Sequence, residues 1–458
     1  MAIDTLWQGL GLPVEALAHL TLTGHDPVLP SSFAVGTAAQ VSIACAAMAA
    51  AEVGNLRNGL RQQVRVDMRH AALECCVRFA IDGHAPEVWD KLAGLYACRT
   101  GWVRLHTNFA HHRDGALRLL ELPVGTQTDR AAVAQALARR DATEFEQAAT
   151  DAGLVVAALR SLDEWDAHPQ SAAIARQPLV AIERIGDAPP LPWPALAPDS
   201  RPLTGLRVLD LTRILAGPVG GRTLAAYGAD VMLVNAPHLP NIEAIADTSR
   251  GKLSALADLR TDEGREALRG VLREAQVFAQ GYRPGSLAAL GFAPDAVAAM
   301  RPGIVIVSLS AYGETGPWAG KRGFDSLVQT ATGFNLAEAQ AAGSTTPRPL
   351  PMQVLDMASG ALMAFGVQAA LLRQQREGGS WHVRVSLART GQWLRELGRL
   401  PNGFGAPAAD FSGLMETSSS GWGELNAMRH AAEFSHTPAG WARPSMPPGS
   451  HPLAWPPH

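Results

Sequence analysis

The sequence predicts an α/β protein, a domain built on a parallel sheet accompanied by a smaller α+β domain. Three observations point there. The run Val208-Leu-Asp-Leu211 leads through Ala216-Gly217-Pro218 into a helical stretch ending near Tyr227, then into a second apolar run, Val231-Met-Leu-Val234. Strand, glycine turn, helix and strand in that order make a parallel βαβ unit. Two further β-type runs, Val277-Phe-Ala279 and Ile304-Val-Ile-Val-Ser308, come at spacings that leave room for a helix before each. A proline-rich stretch at 188–202 separates this half from a first half of mixed helix and strand signals.

In chain order, residues 1–30 are a short helical lead-in that ends in turn residues from Gly24 to Pro30. Residues 33–57 are alanine-rich and helical, and Gln63-Val-Arg-Val66 reads as a strand. Gly101-Trp-Val-Arg-Leu-His106 is another, followed by helices over 113–120, 129–139 and 141–152. Residues 154–160 have strand character. Ser161 with Glu164 three residues on forms a capping box that opens a helix toward His168. The chain therefore divides into a first unit at 1–190, a linker at 191–202, the sheet domain at 203–400 and a tail at 401–458. The Gly, Pro and Ser content of the tail suggests an extended wrap over the surface, with one short helix near 424–432.

An internal echo links the halves. Helix 38–55, Gly59 and Val64-Arg65-Val66 are matched 319 positions later by helix 357–375, Gly378 and Val383-Arg384-Val385. At that offset Asp356 corresponds to Thr37. The chain reads as a partial duplication in which only the second copy keeps a carboxylate at this point.

Composition excludes several classes. A length of 458 residues calls for two or three domains, and 47% hydrophobic with 18% charged residues is ordinary for a globular protein. A net charge of −3 without a basic arm argues against a nucleic-acid partner. Cys45, Cys75, Cys76 and Cys98 lack metal-type spacing and read as buried thiols, which fits a reducing cytoplasm. Residues 1–20 lack a signal-peptide pattern, and the alanine-rich run at 41–51 is too short to span a bilayer. His106, His111 and His112 raise the question of a metal, but the adjacent pair His111 and His112 reads as surface polar, so no metal is expected. Only three of the 39 basic residues are lysines, and two of these, Lys252 and Lys321, lie in the central stretch.

Six short motifs in the second half carry a resemblance. They are Gly205-Leu-Arg-Val-Leu-Asp-Leu-Thr212 with Ala216-Gly-Pro218; Arg250-Gly-Lys-x-Ser254-x-x-x-Asp258-Leu259; Tyr282-Arg-Pro-Gly285 with Leu290-Gly291; Ser310-Ala-Tyr-Gly-x-Thr-Gly-Pro317; Gly323-Phe-Asp325; and Asp356-x-x-x-Gly360. In this order over about 200 residues, the segment 203–400 resembles the class III CoA-transferase (CaiB/BaiF) family. Residues 31–185, ending near His168-Pro-Gln170, resemble the family's later part more loosely. The resemblance implies a Rossmann-like parallel-sheet domain with a smaller α+β domain, in an unusual order in which small-domain material comes first. Family members interlock two chains, so residues 31–185 are expected to pack on 203–400 as a pseudo-dimer within one chain. A further homodimer is possible.

Acyl transfer from a thioester to an acid needs a carboxylate nucleophile. An Asp at a helix N-terminus suits this, because the dipole and free N–H groups favour its ionised form. The same residue type is also a favoured helix cap, so the residues alone leave both readings open. The resemblance assigns Asp356 as the nucleophile that passes through a mixed anhydride to an aspartyl-CoA thioester, which the second acid opens. Coenzyme A and acyl-CoA enter as substrates, with no permanent cofactor and no membrane partner. For CoA contacts, the amides at Leu215, Ala216 and Gly217 and the helix behind them can cradle phosphate. Lys252, Arg283, Lys321 and Arg322 are candidate phosphate partners, Tyr282 beside Gly281 a stacking surface for adenine, and Phe324 a further contact.

The sequence also departs from the family. Asn235-Ala236 stands where members often place an acid and a CoA-binding basic residue. Leu215 replaces the Gln of formate- and oxalate-specific members. Phe324 replaces the His of acyl-CoA racemases, which removes a second base opposite Asp356. No glycine run covers the site, with Gly421-Trp-Gly423 the nearest candidate. An acyl-CoA racemase or isomerase of the same fold, and a non-catalytic CoA-binding protein, remain the alternatives to a transferase.

Overall fold

In a computed structural model that describes residues 2–457, a seven-stranded sheet forms the frame. Its order is Lys252–Leu256, Asp230–Asn235, Arg207–Leu211, Val277–Gln280, Val305–Ser310, Ser380–Ser386 and Ala181–Gly186. The first six are parallel and the last is antiparallel. Counted from Arg207–Leu211, the parallel strands run 3-2-1-4-5-6, the order of doubly wound sheets, whose ligand crevice lies where the order reverses. These strands are buried on both faces and are correspondingly rich in Val, Ile and Leu. The edge strand Ala181–Gly186 was not expected from the sequence. Two outward glutamate and arginine residues in its middle hide its pairing with Ser380–Ser386.

The echo has a structural counterpart. Helix Val35–Asn58 and helix Val354–Glu377 are both 24 residues long, are almost wholly buried, and pack against each other through the centre of the molecule. Their N-caps, Ala34 (φ −76°, ψ 59°) and Gln353 (φ −79°, ψ 62°), share one backbone conformation. Strand Val64–Asp67 then leads into helix Met68–Glu74, with the Asp67 side chain capping His70 N–H. Strand Ser380–Ser386 leads likewise into helix Leu387–Glu396, with Ser386 capping Arg389 N–H. Each long helix is apolar and long enough to cross a membrane, which the shorter run at 41–51 concealed. Here both are core helices, with 94% of their most apolar window buried inside the protein.

Between them sits the small α+β unit. Strands Gly94–Cys98, Gly101–Leu105 and Val156–Ala158 form an antiparallel sheet. Helices Ala110–Leu119, Arg130–Leu137 and Ala142–Asp151 cover it around a separate core that includes Tyr96, Val103, Leu117 and Phe145. The expected capping box at Ser161 and Glu164 is present, with both of its hydrogen bonds. The tail is more structured than its composition suggests. Residues 424–432, expected as helix, contribute instead to strand Gly423–Met428, paired with Met415–Ser420 and with Phe79–Ile81 of the first half. Alternating burial along Gly423–Met428, with Leu425 and Ala427 inward, is the two-residue period of a strand.

A buried ionic cluster joins first half, sheet domain and tail. Glu74 accepts from Arg222, from His430 Nδ1 at 3.0 Å and from the Ala431 N–H at 2.8 Å. Arg222 also pairs with Asp247, which pairs in turn with Arg250. Every charge in this group has a partner, which is the condition for burying it.

Candidate active site

A cavity of about 450 Å³ opens at the carboxyl ends of the parallel strands. Its walls come from the turns after five of them: Arg213 to Ala216, Leu239 with Pro240, Gly281 to Ser286, Leu309 to Ala311, and Leu387. Phe324, Arg322 and Lys321 close one side, and Phe109, His111, His112 and Val155 of the small unit close another. Asp356 lies in its wall, 9% exposed. Leu215, Ala216, Gly281, Tyr282, Arg283, Lys321, Arg322, Phe324 and Asp356 are thus brought together from positions more than a hundred residues apart.

One glycine lets the elements meet. A Cβ on Gly360 would come within 2.5 Å of the Ala216 carbonyl oxygen and 2.8 Å of Val219. Glycine there allows helix Val354–Glu377 to lie against helix Ala216–Ala226, so that Asp356 and the free amides of the latter share one cavity. That helix starts without a side-chain cap at Leu215, which leaves its first N–H groups for an anion. Ile214, just before it, holds φ at +74°, a conformation that a β-branched residue rarely adopts. Strain of this kind concentrates at functional turns.

Asp356 is not the cap of its own helix. Gln353 holds that position, and Asp356 is in the first turn. The capping acceptor comes from another helix: Asp325 Oδ2 receives the Asp356 N–H at 2.9 Å. The Asp356 carboxyl makes no side-chain hydrogen bond among the described residues. Burial first, and then the neighbouring Asp325 carboxylate, push its pKa well above the ordinary aspartate value. The expectation that the helix terminus alone favours the ionised form is therefore corrected. Desolvation and a like charge outweigh the dipole when the amides are already satisfied.

The other predicted contacts divide. Arg283 is exposed at the rim and makes no side-chain hydrogen bond among the described residues. Arg322 touches His112 at 3.5 Å, and its buried Nε has no partner. Lys321 reaches the wall, but its ammonium is 2.8 Å from Glu146 Oε1 and lies over the Trp318 ring. It is committed to that carboxylate rather than free for phosphate. Lys252 is a clear correction. It is fully buried, 2.9 Å from Asp210 Oδ2 and 2.8 Å from the Pro218 carbonyl, and is absent from the cavity. Gly217 is absent too, because it packs against Thr212 where no side chain fits. Gly421-Trp-Gly423 packs on Met446 and Pro447 and on Ser445, away from the cavity, so it does not cover the site.

Sequence reasoning missed Arg213, Phe109 and His112. Arg213 occupies the same strand-to-helix turn as Leu215, so its position was readable there. His112 is buried rather than a surface residue, with Nδ1 unpartnered. Burial, the adjacent His111 and the nearby Arg322 and Arg213 guanidinium groups press its pKa down to about 3, so it is neutral. His106 is buried beside it and stacks on Phe324 with ring centroids 4.0 Å apart, and its pKa is likewise pressed to about 3, mainly by burial. Among the described residues no group of three or more His, Cys, Asp or Glu could hold a metal ion. The loop that carries Lys321 to Phe324 is fixed from the first half by the buried Gln170. Its amide donates to Tyr312 O at 2.6 Å and Thr315 O at 2.8 Å and accepts from Trp318 N–H at 2.7 Å.

Residues 203–397 match the sequence pattern of CoA-transferase family III. The matched segment, under half of the chain, is similar to this family. An acyl-CoA transferase of Gibberella moniliformis is 28% identical over 413 residues, covering 81% of this chain and 72% of the relative. A probable fatty acyl-CoA transferase of Mycobacterium tuberculosis is 33% identical over 202 residues, 41% of this chain and 51% of the relative. A succinate–glutarate CoA-transferase of Agrobacterium fabrum is 33% identical over 206 residues, 41% and 51% respectively. The chain thus spans about half the length of these two bacterial relatives. A crystal structure of a CAIB/BAIF family protein from Brucella suis aligns with a TM-score of 0.38 at 28% identity, covering 49% of this chain and 65% of that one.

Proposed function

We propose that this chain is a CoA-transferase that moves CoA between an acyl-CoA thioester and a carboxylic acid, with Asp356 as nucleophile. The observation that supports it is the placement of one buried carboxyl group in a cavity of about 450 Å³, beside a helix N-terminus without a side-chain cap and below rim cations. The ionised Asp356 attacks the thioester carbonyl, and the CoA thiolate leaves as a mixed anhydride forms. The thiolate then attacks the aspartyl carbonyl and expels the donor acid, giving an aspartyl-CoA thioester. The acceptor acid reverses both steps and regenerates the carboxylate. Amides at the start of helix Ala216–Ala226 are positioned to stabilise negative charge near the reacting carbonyl. Arg283, Arg322 and Arg213 line the cavity without a carboxylate partner among the described residues and are the cations to meet CoA phosphates, and Tyr282 offers the adenine a ring face.

One site serves each chain in this reading, since the first copy carries Thr37 where the second carries Asp356. The two halves act as a pseudo-dimer in which the small unit supplies Phe109 and His112 to the cavity of the sheet domain. All four cysteines are free, which fits a cytoplasmic enzyme.

The first test is Asp356→Ala, which should abolish transfer while leaving CoA binding and folding near wild type. Loss of CoA binding together with activity would count against a purely chemical role. A second reading, α-proton exchange, is favoured by one observation only: His112 is neutral, with a free Nδ1, in the same cavity. Deuterium uptake at the α-carbon of an acyl-CoA in heavy water, lost in His112→Gln, would support it over transfer.

A further inference from the structure

Asp325 is completely buried and forms no ion pair within 4 Å among the described residues. Every group hydrogen-bonded to it is a donor. Oδ2 accepts the Asp356 N–H, the Leu355 N–H adds a second bond from the same helix turn, and Oδ1 accepts from Gln329 Nε2 at 2.5 Å. Gln329 cannot turn its amide round, because its Oε1 already accepts from Leu350 N–H at 2.9 Å and Asn335 Nδ2 at 3.3 Å. Burial raises the Asp325 pKa to about 6, but the donors at both of its oxygens favour the acceptor form, so within the pair Asp325 is the anion. Asp356 has no such donors at its carboxyl. When two neighbouring carboxyl groups compete for one proton, the group without donors takes it.

The nearest cation is Arg104, from strand Gly101–Leu105 of the small unit. It is 7% exposed, donates no side-chain hydrogen bond among the described residues and leaves Nε without a partner. Its charge favours the ionised form of Asp325. The other titratable groups around the pair are His106, His111 and His112 from the small unit, Lys321 and Arg322 from the loop before Asp325, and Arg213, Tyr282 and Arg283 from the turns after two parallel strands. His106 and His112 are neutral, and Lys321 is paired with Glu146. Helices Ala216–Ala226 and Leu387–Glu396 present only Ala216 and Leu387 to the cavity. Charge close to Asp356 thus comes chiefly from Asp325.

We propose that Asp325 is a positioning residue for Asp356: it aims the first turn of helix Val354–Glu377 into the cavity and, as the anion of the pair, sets the pH at which Asp356 gives up its proton. Arg104 stands behind it and ties that setting to the seating of the small unit. The proposal rests on Asp356 being the reactive group, but its test needs no substrate.

The test is a carbon NMR titration of full-length protein labelled at the aspartate carboxyl carbon, with the Asp356 signal identified by its absence in Asp356→Asn. In Asp325→Asn the cap acceptor is retained and the charge is lost, so the Asp356 midpoint should fall by about one pH unit or more, a tenfold loss of proton affinity. If Asp325→Asn does not fold, Arg104→Met provides the second reading. Without its cation the Asp325 anion is harder to keep, and the lower of the pair's two midpoints should rise. An Asp356 midpoint unchanged in Asp325→Asn, or a lower midpoint unchanged in Arg104→Met, overturns the proposal, since a merely structural cap would alter stability alone. A shifted midpoint in a protein that never forms an acyl or CoA adduct supports it while defeating the transferase reading.

Discussion

The backbone N–H of Thr37 donates to the carboxylate of Asp26 at 2.9 Å, and the Thr37 hydroxyl donates to the same oxygen at 2.7 Å. The second long helix, Val354–Glu377, repeats the first of these bonds, from Asp356 N–H to Asp325, at the same 2.9 Å. A carboxylate borrowed from a preceding segment thus caps each long helix at the equivalent residue. The cap is common to both long helices and belongs to the architecture. Only the side chain at the capped position differs, a satisfied hydroxyl in one and an unsatisfied carboxyl in the other.

That contrast predicts the outcome of Thr37→Ala. It removes one hydrogen bond and a methyl group, and should cost about 1 kcal/mol of stability. Transfer activity should be unchanged, because nothing reactive is lost. Equilibrium urea unfolding and a steady-state rate on the same preparation check both halves of the statement.

Lys252→Met separates burial from ligand binding. Lys252 and Asp210 are both fully buried and in contact at 2.9 Å. Removing the cation strands the Asp210 charge, which should destabilise the protein by about 3–5 kcal/mol. The CoA dissociation constant of the protein that remains folded should stay within about twofold of wild type, by the absence of Lys252 from the cavity. A large loss of affinity without loss of stability would restore it as a phosphate ligand.

Acid should loosen the junction of the halves through Glu74. Burial raises its pKa, but His430, Arg222 and the Ala431 N–H overcome this and hold it at about 2, below its ordinary 4.5. A depressed carboxylate contributes stability that is present above about pH 4.5 and lost as pH falls toward 2. The difference in urea midpoint between wild type and Glu74→Gln should therefore shrink across that window, as a series of unfolding curves would show.

Much of this was legible in the sequence because it is local. Apolar runs fixed by glycine turns indicated five of the six parallel strands, all but Lys252–Leu256, and the 319-residue echo anticipated the paired long helices down to Thr37 opposite Asp356. Nine of eleven expected site residues reach one cavity because the turns that follow parallel strands converge at one edge of the sheet. The failures are of another kind. Lys252 sits in a motif that looks like a ligand set, yet its side chain turns inward, where Asp210 lies 42 positions earlier in the chain. His112 reaches the cavity from a unit some 240 residues before Asp356, and no periodicity records such a meeting. The proton balance of Asp356 depends on Asp325 and on burial, both set by tertiary packing. Strand Gly423–Met428 was hidden because its partner, Phe79–Ile81, lies in the other half.

The most direct measurement is the mass of the chain, and then of its peptides, after incubation with a panel of acyl-CoA thioesters and quenching with hydroxylamine. Anhydrides and thioesters of aspartate are cleaved by hydroxylamine to the hydroxamate. The account predicts a hydroxamate at Asp356 and at no other residue, formed more readily as pH rises through the raised Asp356 value and absent from Asp356→Ala. An unmodified Asp356 across the whole panel, or a hydroxamate at a different residue, would contradict it.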